Sequence, residues 1–156
     1  MRVVLTPAAA LAKPEDPPAC ALVALGANIA SDRGGPAETL EAALDALEAE
    51  PEVRLGARSR WWRSAAVPAG SGPDFVNGCV VLETDLAPAA LLDRLHAVEA
   101  ALGRTRPARW APRVCDLDLL AVGGRVLPDR GTVGRWAALG PEAARRAAPP
   151  ALLLPH

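Results

Sequence analysis

Two leucine-striped segments, each opened by a proline and each set between runs of strand-like pattern, constrain this chain more than anything else in it. Pro36 opens the first, with Leu40, Ala43, Leu44 and Leu47 at i, i+3, i+4 and i+7, and Pro51 closes it. Pro88 opens the second, whose stripe is Leu91, Leu95, Val98 and Leu102, with Gly103 in a helix-ending position. Apolar residues at that spacing fall on one side of an α-helix, so each segment has one face to bury. Ahead of the first helix, residues 20–25 are a short apolar run ending at Gly26-Ala27-Asn28, which predicts a buried strand and a turn. Between the helices, Val53, Leu55, Ala57 and Ser59 alternate with Arg54, Arg58 and Arg60 up to Trp61-Trp62, and Phe75 to Thr84 predicts the next strand. A last strand covers residues 114–122 before the Gly123-Gly124 turn. The order βαββαβ is that of an α+β, ferredoxin-like sandwich: an antiparallel sheet with two helices on one face and the other face free for a ligand.

Length and charge narrow what such a sandwich can do. The 156 residues suffice for one domain. Seventeen Lys+Arg against eighteen Asp+Glu exclude the chain-wide basic surplus of a nucleic-acid-coating or membrane-surface protein. Lys13 is the only lysine, so Schiff-base chemistry and a P-loop lysine are absent from the core, and phosphates must be met by arginine and metal. Cys20, Cys79 and Cys115 form no C-x-x-C pair, which fits a reducing, cytoplasmic compartment and neither a disulfide framework nor structural zinc. No run approaches the ~18 apolar residues of a membrane span. Residues 1–12 imitate a signal peptide only faintly, because Thr6 and Pro7 break the apolar run. Residues 1–19 are therefore expected to be a loose extension of a single domain over 20–156. Within that domain residues 124–154 read as an insertion, helical over 133–146 and broken at Gly140-Pro141, with no function legible in it.

The chemistry concentrates near the last strand. Asp116 and Asp118 stand at i and i+2, on one strand face and about 7 Å apart, while Leu117 and Leu119 point to the other. Two hard oxygen ligands on a rigid strand suit Mg²⁺ that keeps waters and binds substrate phosphates, and equally suit two aspartates paired with arginines. Arg104, Arg106, Arg109 and Arg113 lead into them as a guanidinium clamp for phosphate, with Trp110 among them to stack on a base or lid the site. Single-stranded nucleic acid is the weaker reading of that loop, since stacking platforms need several aromatics on the sheet itself. On the strand opening at Phe75, Val76, Val80 and Leu82 go under the helices, which leaves Phe75 and Asn77 on the open face. A ring beside a carboxamide suits a planar heterocycle, and the strand alone is read as well by a stranded phenylalanine and a turn-bonding asparagine. His96 and Glu99 lie off the leucine stripe, where a solvated helical face is the default.

Leu25-Gly26-Ala27-Asn28, Ser59-Arg60-Trp61-Trp62-Arg63-Ser64, Pro73-Asp74-Phe75-Val76-Asn77, Arg109-Trp110-Ala111-Pro112-Arg113-Val114-Cys115-Asp116-Leu117-Asp118 and the closing Leu154-Pro155-His156 together resemble hydroxymethyl-dihydropterin pyrophosphokinase, a kinase of folate biosynthesis. The resemblance implies a monomeric enzyme that moves pyrophosphate from ATP to the hydroxymethyl group of 6-hydroxymethyl-7,8-dihydropterin and releases AMP. It implies that Asp116 and Asp118 hold two Mg²⁺ ions, and that Arg104 and Arg113 neutralise the phosphate chain. Ser64, Val67, Phe75, Asn77 and Trp110 would meet the pterin; His96, Glu99 and His156 would meet ATP. A ferredoxin-like module that binds nucleotide without chemistry is the rival, and the paired aspartates favour the enzyme. Ala65 and Ala66 stand where the family commonly has prolines, and Phe75 where it often has tyrosine. Family members continue past the Pro-His step into a segment carrying another arginine and a second aromatic. The expectation is therefore weak or absent catalysis and a poorly pinned 152–154 stub, unless the insertion folds back with Trp136 and Arg145 or Arg146 as replacements.

Overall fold

The computed structural model describes residues 18–67, 70–104, 112–140, 142–143 and 147–156. Its elements are β1 (Ala19–Ala27), α1 (Pro36–Glu48), β2 (Val53–Arg58), β3 (Trp62–Ser64), β4 (Phe75–Thr84), α2 (Pro88–Ala101), β5 (Asp116–Val122) and α3 (Arg130–Ala137). The sheet order is β2-β4-β1-β5, every pairing is antiparallel, and β3 joins the same edge of β4 as β2. This is the expected sandwich. Ala21, Val23, Leu25, Val80, Leu82, Leu117 and Leu119 face the helices, and the stripes Leu40/Ala43/Leu44/Leu47 and Leu91/Leu95/Val98/Leu102 cover them. No helix among the described residues is long and apolar enough to cross a membrane.

Each helix stops where its sequence says it should. Pro36 and Pro88 occupy first-turn positions, where a missing N–H costs nothing. At the other end of α2, Gly103 adopts φ +86°, the Gly103 N–H donates to the Ala100 carbonyl, and the Arg104 N–H donates to the Glu99 carbonyl. That pair of bonds is a Schellman closure, which needs a left-handed residue that glycine supplies without strain. Its consequence is functional, because the chain doubles back and sets Arg104 beside Glu99.

Three expectations are corrected. The run 53–62 is not one alternating strand: a register shift between Leu55 and Arg58 breaks the alternation within β2, which ends at Arg58, and β3 begins at Trp62. After that shift Arg58 meets α1, where its guanidinium donates to Glu41 at 2.6 Å, and the Trp61 indole N–H donates to the same carboxylate at 2.9 Å. These two bonds hold the Glu41 carboxyl below its ordinary range. The helical patch begins earlier than 133, as α3 over Arg130–Ala137 started by Asp129, which accepts from the Thr132 N–H at 2.8 Å, and helix recurs at residues 142–143 past the expected break. Residues 141 and 144–146 lie outside the described residues. Finally, residues 152–154 are not a loose stub. Leu127 and Leu154 exchange two backbone hydrogen bonds, Leu153 and Leu154 are buried, and the His156 N–H donates to the Leu120 carbonyl.

The Trp61 ring sits against Gly78, where an added Cβ would come within 2.4 Å of it. Gly78→Ala is therefore expected to cost about 1–3 kcal/mol through overpacking. A denaturant midpoint that falls at unchanged slope checks this; an unmoved midpoint would mean that the indole is not seated on β4.

Candidate active site

The open face of the sheet carries a row that crosses three strands. Gly26 of β1 pairs with Asn77 on one side and with Asp116 on the other. Because Gly26 has no side chain, nothing rises between the Asn77 carboxamide and the Asp116 carboxylate. A Cβ there would sit 3.1 Å from Asn77 Oδ1.

Asp116 is at the centre of the charges. Its Oδ1 accepts from Arg104 Nη1 at 2.7 Å and its Oδ2 pairs with Arg113 Nη1. Arg104 also pairs with Glu99, whose Oε1 accepts the Leu117 backbone N–H at 2.7 Å. Glu99 is 2% exposed, so the solvated-face expectation for it is overturned: it is buried between α2 and β5 and fixes Arg104. His96 keeps the expected exposure. Asp118, one pleat along, is exposed and has no ion pair among the described residues.

Two cavities meet at this cluster. The smaller, about 300 Å³, is lined by Asn28, Ser64, Ala65, Val67, Ser71, Phe75, Asn77 and Pro112 together with Arg113 and Asp116. Asn77 Nδ2 donates to Ser64 Oγ at 2.8 Å, which leaves the carboxamide oxygen facing the cavity floor near Gly26. The larger, about 530 Å³, runs over Leu92, His96, Glu99, Arg104, Arg113, Asp116 and Asp118 to His156 and to Pro149, Pro150, Ala151 and Leu152. Arg113 and Asp116 belong to both.

The structure thus assembles Ser64, Val67, Phe75 and Asn77 around one cavity and His96, Glu99, Arg104, Asp118 and His156 around the other. Trp110, Arg106 and Arg109 lie outside the described residues. Trp136 is not among the lining residues of either cavity, and the insertion reaches the larger one through residues 149–152. Sequence reasoning overlooked Asn28, Ser71, Leu92 and Pro112 as lining residues. Asn28 stood in a quoted motif, but its partners Pro73 and Arg113 are 45 and 85 residues away, a distance that no local pattern reveals.

Cys115, fully buried behind Asp116, has its thiol pushed up to about 12 by burial and by the nearby Glu99 carboxylate. Cys20 and Cys79 are exposed. A thiol-disulfide reagent at pH 8 should therefore titrate two thiols in the native protein and the third only after denaturation. Rapid reaction of all three would contradict this packing.

Residues 22–156 match the 7,8-dihydro-6-hydroxymethylpterin-pyrophosphokinase family. The chain is 48% identical over 105 residues to a 2-amino-4-hydroxy-6-hydroxymethyldihydropteridine pyrophosphokinase of Pseudomonas aeruginosa, a match covering 67% of this chain and 62% of the relative. Proteins of that name from Methylorubrum extorquens and Pseudomonas putida are 39% and 42% identical over 113 and 107 residues. Those matches cover 72% and 69% of this chain, and 69% and 85% of the respective relatives.

Proposed function

Since the chain belongs to the 7,8-dihydro-6-hydroxymethylpterin-pyrophosphokinase family, we propose that it transfers the terminal pyrophosphate of ATP to the hydroxymethyl oxygen of 6-hydroxymethyl-7,8-dihydropterin in folate biosynthesis. The observation that carries this reading is that Arg113 and Asp116 line both cavities, so an acceptor in one and a phosphate chain in the other would meet between the same two side chains. Phe75 stacks on the pterin ring, while Asn77, oriented by Ser64, meets its polar edge and Val67 forms the wall. The nucleotide lies along Leu92, His96, Glu99 and residues 149–152, with His156 at its far side. The hydroxymethyl oxygen attacks the β-phosphorus, the bond to the α,β-bridging oxygen breaks, the hydroxyl proton is lost, and AMP departs. Trp110 would close over the ligands.

Asp116 and Asp118 fit Mg²⁺. They present hard oxygens from one face of β5 beside two arginines, and no cluster of three metal-binding side chains exists among the described residues. The remaining ligands would be water and phosphate oxygens, which is how Mg²⁺ prefers to be held. Bound there, two ions would neutralise the charge that develops on the phosphates. The chain's own part is an exchange of partners. Asp116 accepts from Arg104 and Arg113. Phosphate oxygens compete for those guanidinium groups, which frees the carboxylate and keeps both arginines pointed at the transferred group. A reducing, cytoplasmic compartment fits three free thiols.

Calorimetric titration with Mg²⁺ and α,β-methylene ATP, then with 6-hydroxymethylpterin, tests the two-cavity reading. Each ligand should bind once, and both together; displacement of one by the other would contradict it.

A further inference from the structure

We propose that Asn28 is a positioning residue that couples the two cavities, an inference that rests on the function proposed above. The end of β1 delivers Asn28 into a gap between the loop ahead of β4 and the approach to β5, where it is 4% exposed. Its Oδ1 accepts the Arg113 N–H at 2.7 Å, its Nδ2 donates to the Pro73 carbonyl at 3.1 Å, and its own N–H donates to the Arg113 carbonyl at 2.9 Å. Only one orientation of the carboxamide satisfies an N–H and a carbonyl at once, so the plane of the side chain is fixed.

Two consequences follow from these bonds. Asn28 engages both backbone groups of Arg113, whose carbonyl also accepts the Ile29 N–H at 3.4 Å, and this fixes the direction in which the guanidinium leaves the chain toward Asp116. Pro73 lies two residues before Phe75, and a Cβ on Gly72 would be 3.3 Å from Asn28 Nδ2 and 3.7 Å from Pro112. The loop that carries the ring of the smaller cavity is therefore fastened, through one buried amide, to the arginine that also faces the larger one. A ligand that settles this loop settles Arg113, and a phosphate that holds Arg113 settles the loop. Coupling of this kind is reciprocal: each ligand raises the affinity for the other by the same factor.

The test uses the full chain with Mg²⁺ and α,β-methylene ATP as one probe and 6-hydroxymethylpterin as the other. Each affinity is measured alone and with the other ligand saturating, so that a uniform effect of a substitution on either ligand cancels from the ratio. The unsubstituted protein should show a coupling factor of at least about fivefold, at the lower end of the usual range. Asn28→Ala removes both side-chain bonds, whereas Asn28→Asp keeps an acceptor for Arg113 and turns an acceptor toward the Pro73 carbonyl. Both should bring the factor below about twofold, within the range of no coupling. Without ligand, hydrogen exchange of the Arg113 amide should rise about tenfold in Asn28→Ala, the effect of one lost hydrogen bond, and stay near the original rate in Asn28→Asp. Asn28→Asp also retains the fold-supporting bond should the alanine variant unfold. Binding of both ligands with a coupling factor unchanged in Asn28→Asp would overturn the proposal and leave the functional reading standing. No pterin binding by the unsubstituted protein would overturn both.

Discussion

Asp118→Asn is expected to leave the melting temperature unchanged and to reduce AMP formation by at least about 10²-fold, the scale of losing one preorganised electrostatic contact to a reacting group. The side chain is exposed and has no ion pair among the described residues, so its neutralisation breaks none of the ion pairs described. What it loses is the charge that would hold Mg²⁺ and, through it, the phosphates. Asp116 is a poorer place for this test. Its carboxylate is 13% exposed and engaged by Arg104 and Arg113, so Asp116→Asn would unbalance the arginines as well as the metal site. Steady-state rates with thermal melts of both variants separate the two effects. An Asp118→Asn variant with full activity would remove this residue from the site.

Glu99→Ala should be the most destabilising single change in the site. The carboxylate is buried and receives both the Arg104 guanidinium and the Leu117 N–H. Its removal leaves a largely buried cation and a backbone donor at the start of β5 without that acceptor, which costs about 3–5 kcal/mol for a broken buried pair. For a chain of this length that corresponds to a fall in melting temperature of about 6–20 °C. Glu99→Gln keeps an acceptor for Leu117 and gives up only the charge, so it should fall between the two. A Glu99→Ala protein that melts with the unsubstituted one would show that the buried network adds nothing to stability.

These two residues also mark the boundary of what the sequence discloses. The i, i+2 spacing of Asp116 and Asp118 fixes their common strand face once Leu117 and Leu119 are assigned to the helices, and the structure keeps that face open. The same parity argument places Phe75 and Asn77 correctly, because β4 runs without a break from Phe75 to Thr84. Parity failed between Leu55 and Arg58, where one register shift carried Arg58 and then Trp61 toward α1; a bulge has no signature in an alternating pattern that is charged on one side. Glu99 was misjudged because a polar residue beside a leucine stripe is ordinarily solvated. Its burial depends on β5 presenting an unpaired N–H and on the Gly103 turn returning Arg104 to it, two contacts that local periodicity does not contain. The insertion is the plainest limit. Its helix carries no buried residue, so nothing in its packing marks the role of the prolines that follow it in the wall of the larger cavity.

The central claim is that the acceptor hydroxyl and the phosphate chain meet between Arg113 and Asp116, and the nucleotide product tests it most directly. With ATP, Mg²⁺ and 6-hydroxymethyl-7,8-dihydropterin, phosphorus NMR of the reaction mixture should show AMP and a diphosphate ester of the pterin appearing in equal amounts. ADP with a monophosphate ester, or bound nucleotide with no turnover, would contradict it.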